Sequence, residues 1–476
     1  MFIGRESELS FLNSRYYSKK AELLFIYGRY RIGKTETLHE FCKGKEHIFY
    51  SCQECPDNIQ LRNFSQALLK ENIKASQYLN AFNDWQQALN SITELSYKEK
   101  KLVIIDEFPY MCKNNKSIPS ILQNLWDTIL KNENVMIVLC GSAMSFIEKE
   151  LLANKNPLYG CATGIYKMKE MNFFDARKFF PNYSLEQQIF TYSILGGITH
   201  YLKQFNNDLS IEENIKYNIL TKGCILFNEV EFLLHQELRE IALYNSIIED
   251  IALGSTKVNE ISTQTLINNT SKTSVYLKNL IELGIVEREL SIDAGNKEIA
   301  NNNRRIYQLT DQFFRFLYTF IFTNYSKDGD VDGIYQYVIA DNLDRYASIT
   351  YEKVCQQYLT RLQLKNKLPF RYEKIGRWFW KTTVRIKNNN TEIKKTEIDI
   401  LALSKKEKCY LIGECKFKES PFSYSEYLDT LAKLEPLKKN NKIYYALFSK
   451  NGFDENILEE KNDQLLLFNL KDMSFD

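Results

Sequence analysis

Gly28-Arg29-Tyr30-Arg31-Ile32-Gly33-Lys34-Thr35 fits the spacing G-x-x-x-x-G-K-[ST] without a mismatch, between the apolar run Leu23–Tyr27 and the amphipathic start Glu36–Phe41. Strand, glycine-bearing loop and helix in that order let consecutive main-chain N–H groups curl around a phosphate at a helix N-terminus. All eight residues are therefore expected to bind nucleotide, with Lys34 on the terminal phosphates and the Thr35 hydroxyl on Mg2+. Three more apolar runs follow, His47–Ser51, Leu102–Ile105 and Val135–Cys140, alternating with amphipathic stretches. That rhythm belongs to a parallel sheet covered by helices.

Hydrolysis needs more than a phosphate cradle. The run Leu102–Ile105 ends in Asp106-Glu107, so Asp106 is expected to hold Mg2+ through water while Glu107 polarises the attacking water. The alternative is a helix start carrying two solvated acids. Val135–Cys140 ends in Gly141-Ser142, which puts a small hydroxyl where it could sense a γ-phosphate.

The chain has 476 residues, a prior of about three domains. Its 62 basic and 60 acidic residues leave a net charge of +2, so no global field recruits nucleic acid or membrane and any such affinity is local. Arg5, Glu6 and Glu8 interrupt the N-terminus, which excludes a signal-peptide pattern. The most apolar stretch, Phe313–Phe322, carries Arg315 and has half the length of a membrane span of about 20 residues. It reads as a core helix. A cytoplasmic protein without a membrane partner is expected. Ten cysteines without a secretion signal read as thiols, and Cys52 with Cys55 lacks the second ligand pair that zinc requires.

In the C-terminal third, Glu397 and Asp399 alternate along a strand, with Ile398, Ile400 and Ala402 assigned to its other face. After the charged turn Ser404–Lys408, the returning strand carries Glu414 and Lys416 on one face. Hairpin pairing is expected to gather Asp399, Glu414 and Lys416 at one edge of a sheet. There Asp399 and Glu414 would hold Mg2+ or Mn2+, and Lys416 would orient water or meet developing phosphate charge. Residues 341–400 hold 13 Lys/Arg against 7 Asp/Glu, with Trp378, Phe379 and Trp380 interleaved. They read either as a phosphate-backbone contact or as a solvated basic face over core tryptophans. In the middle third, Ser271–Leu283 reads as a helix stopped by Gly284, followed by a strand, a loop at Asp293–Asn303 and Arg304, Arg305 and Tyr307. This is helix then wing, with Lys272 and Lys278 placed either for DNA phosphates or on a structural hinge.

FIGRESEL at 2–9, GRYRIGKT at 28–35, VIIDEF at 103–108, VLCGSAMSF at 138–146 and Leu195–Tyr201 occur in an order that resembles the prokaryotic archaeal-type ATPases, a STAND branch of the AAA+-like P-loop NTPases. The resemblance implies ATP and Mg2+ as cofactors, an N-terminal box near the adenine, and a winged helix-turn-helix. Two departures stand out: Thr199 replaces the proline of a Gly-Gly-x-Pro element, and Cys161-Ala162 follows Tyr159-Gly160 where relatives tend to carry arginines. No arginine finger is assigned to that loop. The last segment resembles the PD-(D/E)xK nuclease fold, in which Glu352 on the preceding helix matches a further acid.

The expected fold class is α/β. A P-loop parallel sheet with flanking helices and a helical lid spans 1–210, a winged-helix module 211–335, and a restriction-endonuclease-like domain 336–476. The expected function is a Mg-dependent ATPase switch coupled to a nucleic-acid-binding, metal-dependent nuclease. The alternative is a signalling or scaffold ATPase whose C-terminal domain binds partners or DNA without cleavage. Partners are ATP, then DNA or RNA, with a homo-oligomer left open.

Overall fold

A computed structural model of the chain describes residues 2–142, 144–151, 156–292, 305–324, 330–385, 391–433 and 442–474. Its residues fall into two compact units, 1–171 with 197–200, and 172–196 with 201–476.

The first unit contains α1 (Glu6–Tyr16), β1 (Glu22–Tyr27), α2 (Lys34–Cys42), β2 (His47–Ser51), β3 (Lys101–Asp106), β4 (Val135–Gly141) and β5 (Gly164–Lys167). The five strands are parallel, in the order β2-β3-β4-β1-β5. Every residue of β1 and β4 is buried. Helices cover both faces of such strands, so their sequences are unbroken apolar runs instead of alternating ones. β4 separates β1 from β3, and Tyr27 pairs with Gly141 while Ser51 pairs with Asp106. The strand ends therefore finish level, and three loops leave the sheet along one carboxyl edge, the place where open α/β sheets bind ligands.

One buried cation fastens α1 to this sheet. Lys100, just before β3, is 2% exposed, and its Nζ donates to the carbonyls of Ser18 at 2.8 Å, Lys20 at 2.9 Å and Arg15 at 3.2 Å. It ties the last turn of α1, through Arg15 O, to the turn at Ser18–Lys20 that leads into β1.

The second unit includes α3 (Leu185–Leu195). Further along come α4 (Ile241–Ala252), α5 (Val258–Gln264) and α6 (Thr270–Glu282), and then an antiparallel hairpin, β6 (Val286–Leu290) with β7 (Arg305–Leu309). The wing loop expected at 293–303, and Arg304, lie outside the described residues. Apart from half-buried Thr319, the stretch Phe313–Ile321 is buried in α7 (Gln312–Phe316) and the helical turn after it, and Phe322 is exposed. Buried Arg315 donates to Thr350 Oγ1 at 2.9 Å and Tyr346 O at 3.2 Å. Among the described residues no helix is long and apolar enough to cross a membrane.

The rest of this unit is a mixed sheet clasped by α8 (Leu343–Leu364) and α9 (Tyr424–Ala432). Its strands are β8 (Lys374–Arg385), β9 (Thr391–Ser404), β10 (Cys409–Lys416), β11 (Lys442–Ser449) and β12 (Leu465–Asn469), in the order β12-β11-β10-β9-β8. β8, β9 and β10 run antiparallel; β10, β11 and β12 run parallel. Tyr351, Val354 and Tyr358 of α8 pack with Ile400, Ala402 and Leu411 on one face. Trp378, Ile398, Leu401, Leu403 and Ile412 pack on the other, where Tyr427 of α9 meets Leu447.

Two sequence expectations change here. Ile398 does not share a face with Ile400 and Ala402. The β8–β9 register jumps from Gly376↔Leu401 to Trp378↔Ile398, so Asp399 and Ile400 together stand opposite Arg377. This bulge reverses the alternation at Asp399. Nor do Asp399, Glu414 and Lys416 sit on an edge strand: β10 is the middle strand of five, and the residues meet where β9 and β10 part after the pair Ile400↔Gly413.

Replacing Lys100 with methionine should leave three carbonyls at the α1 terminus without their donor and lower stability by about 2 kcal/mol. Urea unfolding of both proteins checks this; an unchanged midpoint would mean that water serves those carbonyls equally well.

Candidate functional site

The first unit gathers one constellation on the carboxyl edge of its sheet. Gly33 (φ +88°) and Arg31 (φ +67°) are both left-handed, and together they turn the loop into α2, which opens at Lys34. A Cβ on Gly28 would lie 2.4 Å from the Met168 carbonyl, so only glycine lets β1 leave the sheet this close to the strand beside it. Lys34 is 5% exposed, and its Nζ donates to Gly28 O and Arg29 O, both at 2.9 Å. Burial holds its pKa below the ordinary lysine range, opposed by the nearby charges of Glu107 and Asp106.

Thr35 Oγ1 donates to Asp106 Oδ2 at 2.7 Å, and Asp106 Oδ1 accepts the Glu107 N–H at 3.0 Å. Glu107 is itself left-handed (φ +50°), and its Oε1 accepts from Ser142 Oγ at 2.6 Å while Oε2 faces the Ser142 N–H at 3.3 Å. Thr35, Asp106, Glu107 and Ser142 thus form one chain of contacts running from α2 across the ends of β3 and β4. A hydroxyl and a carboxylate paired beside a ring of main-chain amides are the donor set that magnesium and a polyphosphate require. Arg29 pairs with Glu170 at 3.1 Å. The side chains of Tyr30 and Tyr110 approach within 3.4 Å.

The residues that hold the loop from behind include Arg5 and Glu8 of the 2–9 box, which the family resemblance set near the adenine and not on the loop. Arg5 donates to Ile32 O at 2.6 Å, Lys169 O at 2.7 Å and Glu8 Oε1 at 2.9 Å. Thr199 Oγ1 also donates to Ile32 O, at 3.1 Å, and the His200 N–H donates to Arg31 O at 3.2 Å. The hydroxyl at position 199, where the family resemblance leads one to expect proline, therefore bonds directly to the loop. Beside the first turn of α2 a shallow crevice is lined by Glu8, Phe11, Ile26, Thr37 and Tyr166.

The second unit assembles the other constellation. Glu414, 4% exposed, accepts on Oε1 from Lys416 Nζ at 2.9 Å, and on both oxygens from Lys433 Nζ at 2.9 and 2.8 Å. Asp399 Oδ2 accepts the Cys415 N–H at 2.9 Å. Burial and then Glu414 push the Asp399 carboxyl up to about 6. Glu352 on α8 is pushed up to about 8 by burial and then by Asp399, with Arg377 opposing. Arg377 bridges Glu289 of β6 and Glu352, each at 3.6 Å, and bonds Glu397. It belongs to the basic stretch read from sequence either as a phosphate contact or as a solvated face, and in the structure it is an internal ion-pair partner. Trp378 of the same stretch is buried core.

The hairpin after α6 is engaged as well. Glu287 accepts from Lys353 at 2.9 Å, the Ile292 N–H donates to Arg377 O at 2.9 Å, and Ser291 Oγ bonds the main chain of Phe379. Lys272 and Lys278 on α6 are exposed. Among the described residues, the acids whose oxygens come within 4.8 Å of one another in a group of three are Glu186, Asp344 and Glu419. Lys450 Nζ already sits among them at 2.6, 3.1 and 2.5 Å. Glu352, Asp399 and Glu414 are spread wider, as their ion pairs to Arg377, Lys416 and Lys433 require.

Residues 2–205 match the family model of an ATPase domain found predominantly in Archaea, and residues 313–428 match one of archaeal and bacterial proteins of unknown function. The uncharacterized protein MJECL04 of Methanocaldococcus jannaschii is 33% identical over 479 residues, covering 100% of both chains. Among solved structures, the Walker-type ATPase PABY2304 of Pyrococcus abyssi is 17% identical with a TM-score of 0.49, covering 67% of this chain and 96% of its own. The Aeropyrum pernix ORC2 protein is 13% identical with a TM-score of 0.42, covering 73% and 93%. The sheet order, the loop at Gly28–Thr35 and the end-to-end match with MJECL04 lead to one conclusion: the chain belongs to the family of MJECL04, with an archaeal-type P-loop ATPase domain at its N-terminus.

Proposed function

We infer that the chain is an ATP-binding and hydrolysing switch whose C-terminal part acts on nucleic acid with a divalent cation. The organisation proposed is an ATPase domain with its helical lid at 1–210, a winged helix-turn-helix at 211–335 and a PD-(D/E)xK nuclease-like domain at 336–476. The observation that carries the first half is the 2.7 Å bond from Thr35 to Asp106. It brings a helix-start hydroxyl to a strand-end carboxylate, as direct and water-mediated ligation of one Mg2+ would require. Magnesium supplies charge neutralisation at the β- and γ-phosphates. The chain's groups do the rest. Amides of Gly28–Thr35 receive the phosphates, and Lys34 turns from the carbonyls of Gly28 and Arg29 to the terminal oxygens. Glu107 orients the attacking water, while Ser142, its present partner, senses the γ-phosphate.

For the C-terminal half, Asp399 and Glu414 are proposed as ligands of Mg2+ or Mn2+, with Glu352 as a third acid and Lys416 orienting water or meeting phosphate. A divalent cation there supplies Lewis acidity at a phosphodiester. The carboxylates at the parting of β9 and β10 support this reading. A second reading, binding of DNA or RNA without cleavage, is favoured by the two ammonium groups already on Glu414.

Lys34→Ala should weaken ATP binding by at least about ten-fold, the scale of one charged contact, and Glu107→Gln should retain binding while slowing hydrolysis by about 100-fold. Calorimetry and phosphate release measure the two; full turnover in Glu107→Gln would assign the water to another residue. Incubation with Mn2+ and plasmid, single-stranded DNA or RNA should give cleavage that Lys416→Ala abolishes. Equal products from both proteins would leave the binding-only reading in place.

A further inference from the structure

Among the described residues, Lys433 is a cation on Glu414 that no motif reading assigned. It follows α9, on the opposite face of the sheet from α8, and reaches Glu414 from outside the strand that carries both Glu414 and Lys416. Its ammonium touches both oxygens of that carboxylate, whereas Lys416 touches one. Glu414 is buried and Lys433 half-buried, so the lysine rather than the acid has room to move.

A carboxylate with an ammonium on each oxygen cannot also ligate a dication closely, because the two positive charges would share the same lone pairs and repel at short range. Lys416 is two residues along the same strand, and it keeps its place beside Glu414 by backbone geometry. Lys433 hangs on a flexible four-carbon stem at the end of a helix and gives way first. Once displaced, its ammonium is left beside the same carboxylates, a cation without its acid, next to any phosphodiester that the site takes.

We propose that Lys433 exchanges partners: it is the counter-ion of Glu414 while no divalent cation is bound, and it becomes a contact to the nucleic-acid backbone once one is. The proposal rests on the metal-binding reading above and gives the site a fixed order of assembly, metal first and polyanion second. It also reconciles a buried acid that carries two lysines with a site intended for metal.

The test uses the full chain and Lys433→Met, Lys433→Arg and Asp399→Asn. Mn2+ alone is titrated by calorimetry. Fluorescent duplex DNA, single-stranded DNA and RNA of one length are then titrated with Ca2+ present. Lys433→Met should bind Mn2+ about ten-fold more tightly than wild type, because a competing cation is gone, and bind the backbone about ten-fold more weakly. Lys433→Arg should restore backbone binding and keep the wild-type Mn2+ affinity or lower it. Effects of opposite sign at two ligands distinguish exchange from simple misfolding, which weakens both. Unchanged or weaker Mn2+ binding in Lys433→Met, with wild type binding normally, overturns the exchange alone. If wild type binds no more Mn2+ than Asp399→Asn, the metal-binding reading fails, and the exchange with it.

Discussion

A lysine ammonium removed from water must find acceptors, and Lys34 finds them in the loop that carries it. The carbonyls of Gly28 and Arg29 close on Nζ, the carbonyl of Ile32 is gripped by Arg5 and Thr199, and that of Arg31 by the His200 amide. With its oxygens tied behind and within it, the loop holds its curl without a ligand. Each charged bond of this kind contributes about 1.5 to 3 kcal/mol where it is buried, and the parallel sheet sets where the curl stands relative to Asp106, Glu107 and Ser142.

How legible these parts were depends on how local their causes are. The strands of the first unit are buried on both faces, so their apolar runs mark them in any reading of the chain, and the eight-residue loop motif is contiguous. Thr199 looked like a lost proline because its purpose lies 167 residues away, at Ile32. In the C-terminal sheet the hairpin was readable from alternation and a charged turn, but the bulge at Asp399 was not: no glycine or proline marks it on β9, and it arises from the fit of β9 to β8. Lys433 was invisible for the same reason, since only the packing of α9 brings it to Glu414.

The basic stretch between 341 and 400 illustrates how charge counted along a chain differs from charge available to a partner. Arg377 is surrounded by Glu289, Glu352 and Glu397, Lys353 serves Glu287, and the Arg361 guanidinium lies 4.4 Å above the ring of Phe174. Much of the local excess balances acids or aromatic faces inside the unit. The hairpin strand β6, through Glu287 and Glu289, is where two of those cations end.

The bulge carries a consequence for how such a chain can vary. Two residues of β9 oppose Arg377 alone, so the strand is out of phase with itself on either side of Asp399. A sequence one residue shorter at that point would regain even pleating with Ile398 still opposite Trp378 and in its apolar layer, and would lose only the second residue opposite Arg377. The extra residue is thus a property of the site and not of the sheet, which pairs evenly without it, and a change of length there would re-aim the acid before it disturbed the strands.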